Sequence, residues 1–272
     1  MSDTFYCQPE HQAFTIGAGS THALLIHGFL GTPREFLPLA TEIAAAGATA
    51  HGVLLPGFGP GIADLKRVRS EEWLAATRAA WSAIQREADH SVLIGFSMGG
   101  AIALALAAEM GLAPDRLILL APHWKFADRR AALLPLAKYV LREFKPFSPA
   151  DLANPDVRQI FAAIAPGADL DDPVVRLQLT RNATIPTSAL DQLRRIGSAA
   201  AAASRRLAAP STVLQGLQDT TTLPVHSRRL AERLHADLVE FPGDHMIVDP
   251  AKPSWPIVRD TVVRAVREAG RA

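Results

Sequence analysis

Thiols are almost absent from this chain. Cys7 is the only cysteine in 272 residues, so no internal disulfide and no thiolate metal site can form. An excess of charge of one sign is missing as well: 28 Lys and Arg stand against 27 Asp and Glu, for a formal net charge of +1. The signs are interleaved without a run, which argues against a nucleic-acid binder or a membrane-surface protein. Apolar runs stop well short of the ~20 residues that span a bilayer, so no stable membrane insertion is expected. Met1 to Glu10 carries an acidic residue and no apolar stretch, so it does not read as a signal peptide, and cytoplasmic residence is the expectation. What the chain has in quantity is apolar side chain, 49% of its residues. That is enough for one large core, or for a core with an inserted cap.

Strand and helix signals alternate in two segments. In the first, Ala23 to His27 reads as a buried strand, Thr32-Pro33 as the start of a helix closed by Gly47, and Thr49 to Leu55 as the next strand. Ser70, with Glu71 and Glu72 behind it, reads as a helix cap. Trp73, Ala76, Thr77, Ala80 and Trp81 mark that helix's inward stripe. Ser91 to Ile94 reads as a strand, Ala101 to Met110 as a helix and Arg116 to Leu120 as a strand. The alternation resumes late with Ser211 to Leu217, a helix from Val225 to His235, a strand from Asp237 to Phe241 and a helix from Trp255 to Ala269. Strands separated by helices imply parallel pairing, hence a central sheet flanked by helices. Between the two segments no strand signal occurs. Helical stretches at Arg129 to Phe144 and Thr187 to Leu207 are separated by breaks at Pro146, Pro149, Pro155, Pro166, Pro173 and Pro186. Residues 123–210 are therefore expected to be an all-helical cap (lid) inserted into a core made of 1–122 and 211–272.

The run Gly95-Phe96-Ser97-Met98-Gly99-Gly100 joins a strand to a helix. A turn that sharp strains its central residue and crowds the positions two before and two after it, which glycine alone tolerates. Ser97 would then stand exposed above the sheet edge as a nucleophile. At ordinary Gly and Ser usage a chain of this length carries the pentapeptide by chance about one time in ten, so its partners have to decide. A serine hydroxyl needs a base, and the base an orienting acid. Asp219 follows one late strand and His245 follows the next, so both reach the C-terminal edge of the sheet. Asp244 and Asp249 flank the histidine as competing acids. His226 begins a helix and His235 ends one, the latter in reach of the helix's negative pole. Leu25-Ile26-His27-Gly28-Phe29-Leu30-Gly31 ends the first strong strand. Its glycines can turn backbone N–H groups toward a developing oxyanion. Phe29 N–H and Met98 N–H are the expected oxyanion hole, and His27 is expected to tie loops together rather than to move protons.

With the order Ser97, Asp219, His245, these residues resemble the α/β-hydrolase superfamily, nearest the small bacterial carboxylesterases and monoacylglycerol lipases. His27 to Pro33 is similar to that branch's oxyanion motif, and Gly95 to Gly100 to its elbow. Leu55-Pro56-Gly57-Phe58-Gly59 is similar to its Pro-Gly-His-Gly loop, and Glu72-Trp73 to an acidic-Trp pair that opens a helix. Phe58 stands where the histidine is usual, and the 123–210 insertion is longer than in the smallest such esterases. The resemblance implies an α/β-hydrolase fold.

The expected activity is carboxylic ester hydrolysis through an acyl-enzyme, without cofactor or metal, by a monomer or homodimer acting on a small-molecule ester. Thioester hydrolysis, carbon–carbon bond hydrolysis, perhydrolysis and non-catalytic ligand binding are the alternatives on the same scaffold. Because His245 acts as a base only when neutral, activity is expected to rise with pH. Phe29, Trp124, Phe126 and Met246 are the candidate substrate contacts, and Phe144 and Phe147 add to the insertion's apolar content. The aromatics of the insertion serve equally well as its own small core.

Overall fold

A computed structural model describes residues 8–109, 111–145, 149–153, 157–158, 169–182 and 184–271. Cys7, Pro146, Phe147, Pro155 and Pro166 lie outside these residues. The main sheet has seven strands: β1 (Phe14–Ile16), β2 (Thr21–Ile26), β3 (Thr49–Val53), β4 (His90–Phe96), β5 (Arg116–Leu120), and two later strands, β8 (Ser211–Gly216) and β9 (Asp237–Phe241). Their spatial order is β1-β3-β2-β4-β5-β8-β9. β1 runs antiparallel to β3 and every other pair is parallel.

Alternate side chains on these strands feed two cores, as the pleat requires. Leu24, Ile26, Leu93, Leu117, Leu119 and Val213 face α2 (Ser70–Glu87), α3 (Met98–Ala107) and α7 (Pro224–Leu234). Ala23, Leu25, Val92, Ile94, Ile118, Leu120 and Leu214 face α1 (Leu37–Ala45) and α8 (Trp255–Ala269). Strands covered on both faces read as continuous apolar runs, which is why β2, β4 and β5 were visible in the sequence. β1 was not. It has three residues, and it is held at the edge by Phe14, whose ring lies where a side chain at Gly52 would stand. No helix of the described residues is long and apolar enough to cross a membrane.

Two expected helix caps do other work. The Thr32 hydroxyl pairs with His11 Nδ1 at 2.9 Å, and α1 is entered through a 3₁₀ turn, Pro33–Phe36. Ser70 donates its hydroxyl to Gln192 Oε1 at 3.1 Å, while Glu72 accepts the N–H of Arg69, the residue that precedes the helix, at 2.9 Å.

The inserted segment departs from an all-helical one. The helix expected over 129–144 is a 3₁₀ turn, Arg129–Leu133, followed by α4 (Leu134–Val140); it ends where Leu141 turns extended at φ −103°, ψ 94°. Beyond it β6 (Glu143–Phe144) pairs antiparallel with β7 (Ile185–Pro186). Two-residue strands carry no periodicity, so this ribbon left no trace in the sequence. α5 (Pro173–Asn182) lies between its two strands in the chain, and α6 (Thr187–Ala203) follows the second. α6 differs in kind from its neighbours: Ala189, Leu193, Ile196, Ala200 and Ala203 join the same packed cluster as α3. It packs directly on the core as part of that cluster. The buried carboxylate of Asp191 ties α6 to α4 through Lys138 Nζ at 2.6 Å and pairs within its own helix with Arg194 at 2.8 Å.

Candidate active site

The crossing from β4 to α3 is made by one residue. Ser97 has φ 52° and ψ −116°, a conformation that costs a non-glycine residue of order 1–3 kcal/mol and needs the surroundings to enforce it. The Ser97 N–H donates to Leu120 O at 2.9 Å, and Ser97 O accepts from Gly100 at 3.0 Å and from His123 at 2.9 Å. A Cβ on Gly95 would run into the Gly99 carbonyl, and one on Gly99 into the Ile26 carbonyl. The two glycines are therefore a steric condition of the turn. β4 extends to Phe96 and α3 begins at Met98, so the turn is shorter than the strand and helix signals suggested.

Ser97 Oγ lies 3.0 Å from His245 Nε2, and His245 Nδ1 lies 2.8 Å from Asp219 Oδ2. Residues 148 positions apart in the chain are thus joined in one hydrogen-bonded line. The loops that carry the histidine and the acid are laced together: Leu217 N–H donates to Phe241 O, Gln218 N–H to Gly243 O, and Gly243 N–H returns to Gln218 Oε1. A side chain at Gly216 would strike the Gly243 and Asp244 carbonyls at 2.5 Å.

Asp219 is 2% exposed. Its Oδ1 accepts the N–H groups of Thr221 at 2.7 Å and Thr222 at 2.8 Å. Its Oδ2 accepts the Thr222 hydroxyl at 2.7 Å and Gln215 Nε2 at 3.1 Å besides the histidine. Burial on its own raises this carboxyl's pKa. The bond and attraction of His245, with the bonds from Thr222, outweigh it and hold Asp219 below the usual carboxylate value. The competing acids are engaged elsewhere: Asp244 accepts from Met246 N–H at 2.9 Å and Lys252 Nζ at 2.6 Å, and Asp249 accepts from Ala251 N–H at 2.9 Å.

On the other side of the serine, His27 is fully buried. Its Nδ1 pairs with Gly28 O at 2.9 Å and its Nε2 accepts Leu55 N–H at 3.2 Å. It ties the loop after β2 to the loop after β3, and burial lowers its pKa to about 4. The ring of Phe58 stands edge-on to His27 and to Phe29, with centroids 5.2 and 5.8 Å away. A Cβ on Gly28 would lie 3.2 Å from the Phe96 ring and 3.5 Å from Ser97 Cβ, so this loop rests directly on the serine turn. Among the described residues neither Phe29 N–H nor Met98 N–H donates a hydrogen bond.

The other candidates are more dispersed. Trp124 is 7% exposed among packed apolar residues; its indole N–H donates to His226 O at 3.0 Å and its ring lies 4.9 Å from the Arg233 guanidinium. Phe126 is half-buried and stands edge-on to His123, centroids 4.8 Å apart. Met246 is half-buried against the second core. His226 lies in the first turn of α7, and His235 closes that helix in the left-handed region at φ 50°.

Three residues escaped the sequence reading. Gln215 and Thr222 fix the acid, and the run Asp219-Thr220-Thr221-Thr222 was a legible signal, since an aspartate commonly accepts the N–H groups two and three residues on. His123 had no such signal. It is buried against α6 with Nε2 unpartnered among the described residues. Burial first, then repulsion from His245 and His226, lowers its pKa to about 4. Among the described residues no group of three or more His, Cys, Asp or Glu is placed to hold a metal ion.

A model of the alpha/beta hydrolase family matches residues 23–253. The chain belongs to that family. Within the alpha/beta hydrolases it is 27% identical over 197 residues to the thermostable monoacylglycerol lipase of Bacillus sp. (strain H-257), covering 71% of this chain and 74% of that one. The monoacylglycerol lipase structure of Paleococcus ferrophilus aligns with a TM-score of 0.71 at 19% identity, over 93% of this chain and 97% of that one. A structure from a study of LipS and LipT, two metagenome-derived lipolytic enzymes, aligns at 0.74 and 19% identity over 96% and 98%. These structural likenesses bear on the fold of this hydrolase family member.

Proposed function

We propose that the chain hydrolyses carboxylic esters of small to medium apolar acyl groups through a covalent acyl-enzyme. The observation that carries this reading is the unbroken line Ser97 Oγ to His245 Nε2 at 3.0 Å and His245 Nδ1 to Asp219 Oδ2 at 2.8 Å. Ser97 attacks the ester carbonyl as His245 takes its proton, and Asp219 holds the imidazole tautomer and stabilises the imidazolium. The Phe29 and Met98 N–H groups receive the oxyanion, aided by the positive pole of α3. The alcohol leaves with the proton from His245, and water repeats the sequence on the acyl-enzyme.

Similarity to a monoacylglycerol lipase supports an ester substrate. Phe29, Phe126 and Met246 are proposed to meet the acyl group, with Trp124 supporting them from the packed core. The part of the insertion that covers the site is proposed to lie before α6, in a monomer or homodimer resident in the cytoplasm.

A fluorophosphonate probe tests the nucleophile, and p-nitrophenyl esters of rising acyl length, beside a thioester, test the bond. Labelling and hydrolysis that vanish in Ser97→Ala are expected, with esters turned over faster than the thioester. Equal behaviour of native protein and Ser97→Ala would overturn the reading.

A further inference from the structure

The loop between β2 and α1 is wrapped around a carboxyl group that the proposed reaction does not use. Glu35 belongs to the 3₁₀ turn Pro33–Phe36 and its Oε1 accepts the Gly28 N–H at 2.5 Å. Gly31 closes over the same group: a Cβ there would lie 2.5–2.9 Å from the three carboxyl atoms. The Gly28 carbonyl is held from the other side, by His27 Nδ1 at 2.9 Å and Gly31 N–H at 3.2 Å. Both peptide planes flanking Gly28 are thereby set. In a trans peptide the N–H points opposite to the C=O of the preceding residue, so drawing Gly28 O toward His27 sends Phe29 N–H the other way. Leu30, with φ 64°, completes the turn in the left-handed region, which its surroundings have to enforce.

We propose that Glu35 is a positioning residue that locks the Gly28 peptide and so aims the Phe29 N–H at the oxyanion formed at Ser97; this rests on the hydrolase reading above. Among the described residues no cation pairs with it. Arg34 turns away to Glu10 at 3.0 Å, His11 is bonded to Thr32, and His27 is neutral by burial. Burial pushes the carboxyl up to about 7 against the pull of the Gly28 bond. Up to neutral pH the brace is a neutral acid, which accepts the N–H without setting a negative charge one peptide from the oxyanion. As pH rises through about 7 the carboxylate forms and opposes that charge.

The test compares Glu35→Gln, Glu35→Ala and Gly31→Ala with wild type and Ser97→Ala, reading kcat and KM on a p-nitrophenyl ester and the rate of fluorophosphonate inactivation. Glu35→Ala and Gly31→Ala are expected to lower kcat on the order of 10- to 100-fold with KM little changed, and to slow inactivation in parallel, since the phosphoryl oxygen occupies the same donors. Glu35→Gln keeps an acceptor for Gly28 and is expected to restore kcat to within about threefold. It is also expected to abolish the decline in kcat that the proposal expects of wild type above pH ~7. Wild-type kcat in Glu35→Ala, a loss shared equally by Gln and Ala, or an alkaline decline that persists in Glu35→Gln would each overturn the proposal. The last outcome decides even where Glu35→Ala does not fold. Retained labelling in Ser97→Ala would overturn the hydrolase reading itself, a failure distinct from the others.

Discussion

Two acidic side chains flank the serine turn in loops at the same edge of the sheet, and they are driven in opposite directions. Asp219, after β8, accepts five hydrogen bonds, one of them from the imidazole. Glu35, after β2, accepts one hydrogen bond among the described residues, from the Gly28 amide. Asp219 is buried and Glu35 half-buried, and desolvation raises both carboxyls. The number and charge of the donors decide the sign. Asp219 is held below the ordinary carboxylate value and Glu35 is raised to about 7. One loop is built to keep a negative charge and the other to refuse one until the pH is neutral or higher. In the proposed reaction a base that becomes an imidazolium needs the first, and an oxyanion needs the second as its neighbour.

The contrast is sharpest under the isosteric amide. Asp219→Asn keeps the size of the side chain and removes the charge, and kcat is expected to fall by roughly 10⁴; steady-state hydrolysis measures it. A tolerance of Asn at 219 equal to that of Gln at 35 would erase the distinction between the loops. A smaller step removes one donor from the acid: Thr222→Ala takes away the hydroxyl on Oδ2 and is expected to cost about 3- to 10-fold in kcat.

Stability carries the same contrast with opposite pH signs. Glu35 has a folded value above its ordinary one, so the folded state holds the proton longer. Its contribution is complete below about 4.5 and is lost as pH rises through about 7. On the order of 2–3 kcal/mol is at stake, and urea unfolding at pH 5 and pH 8 is expected to show Glu35→Gln relieved of that loss. His27, lowered to about 4, works the other way: its contribution is complete above about 6.5 and is lost as pH falls through 4. The effect expected to be smallest lies in the insertion. Asp191→Ala unpairs Lys138 and Arg194, which are partly exposed. It is expected to cost about 1–2 kcal/mol and to speed proteolysis around α4, with kcat within about twofold of wild type.

Elements with a strong local pattern were legible from the chain. β5, β9 and α8 span the residues that their apolar runs and stripe marked out, while β4 and α3 meet at a tighter turn than expected, β4 starting at His90 and α3 ending already at Ala107. The antiparallel edge strand β1, the ribbon β6–β7 and the core placement of α6 were not legible as such. The strands are too short for a period. The apolar stripe of α6 states that something covers it but not what. In the site, order and strand-end placement singled out Ser97, Asp219 and His245 as candidates, and the glycines around Ser97 carried their own steric reason. Thr32 holds the expected cap position before Pro33 but Ser70 does not, Arg69 taking that place, and each hydroxyl finds a tertiary partner instead of a capping bond, His11 in one case and Gln192 in the other.

By itself, then, the chain determined the alternating architecture, the strained serine turn and the loop glycines, because each of these is settled by residues within a few positions of one another. Only the tertiary structure decided which of three aspartates meets His245, that His27 bonds the loop after β3, and that Gly28 and Gly31 close around Glu35. Those outcomes depend on desolvation and on hydrogen-bond partners brought together from separate loops, and a linear pattern of residue types holds neither quantity.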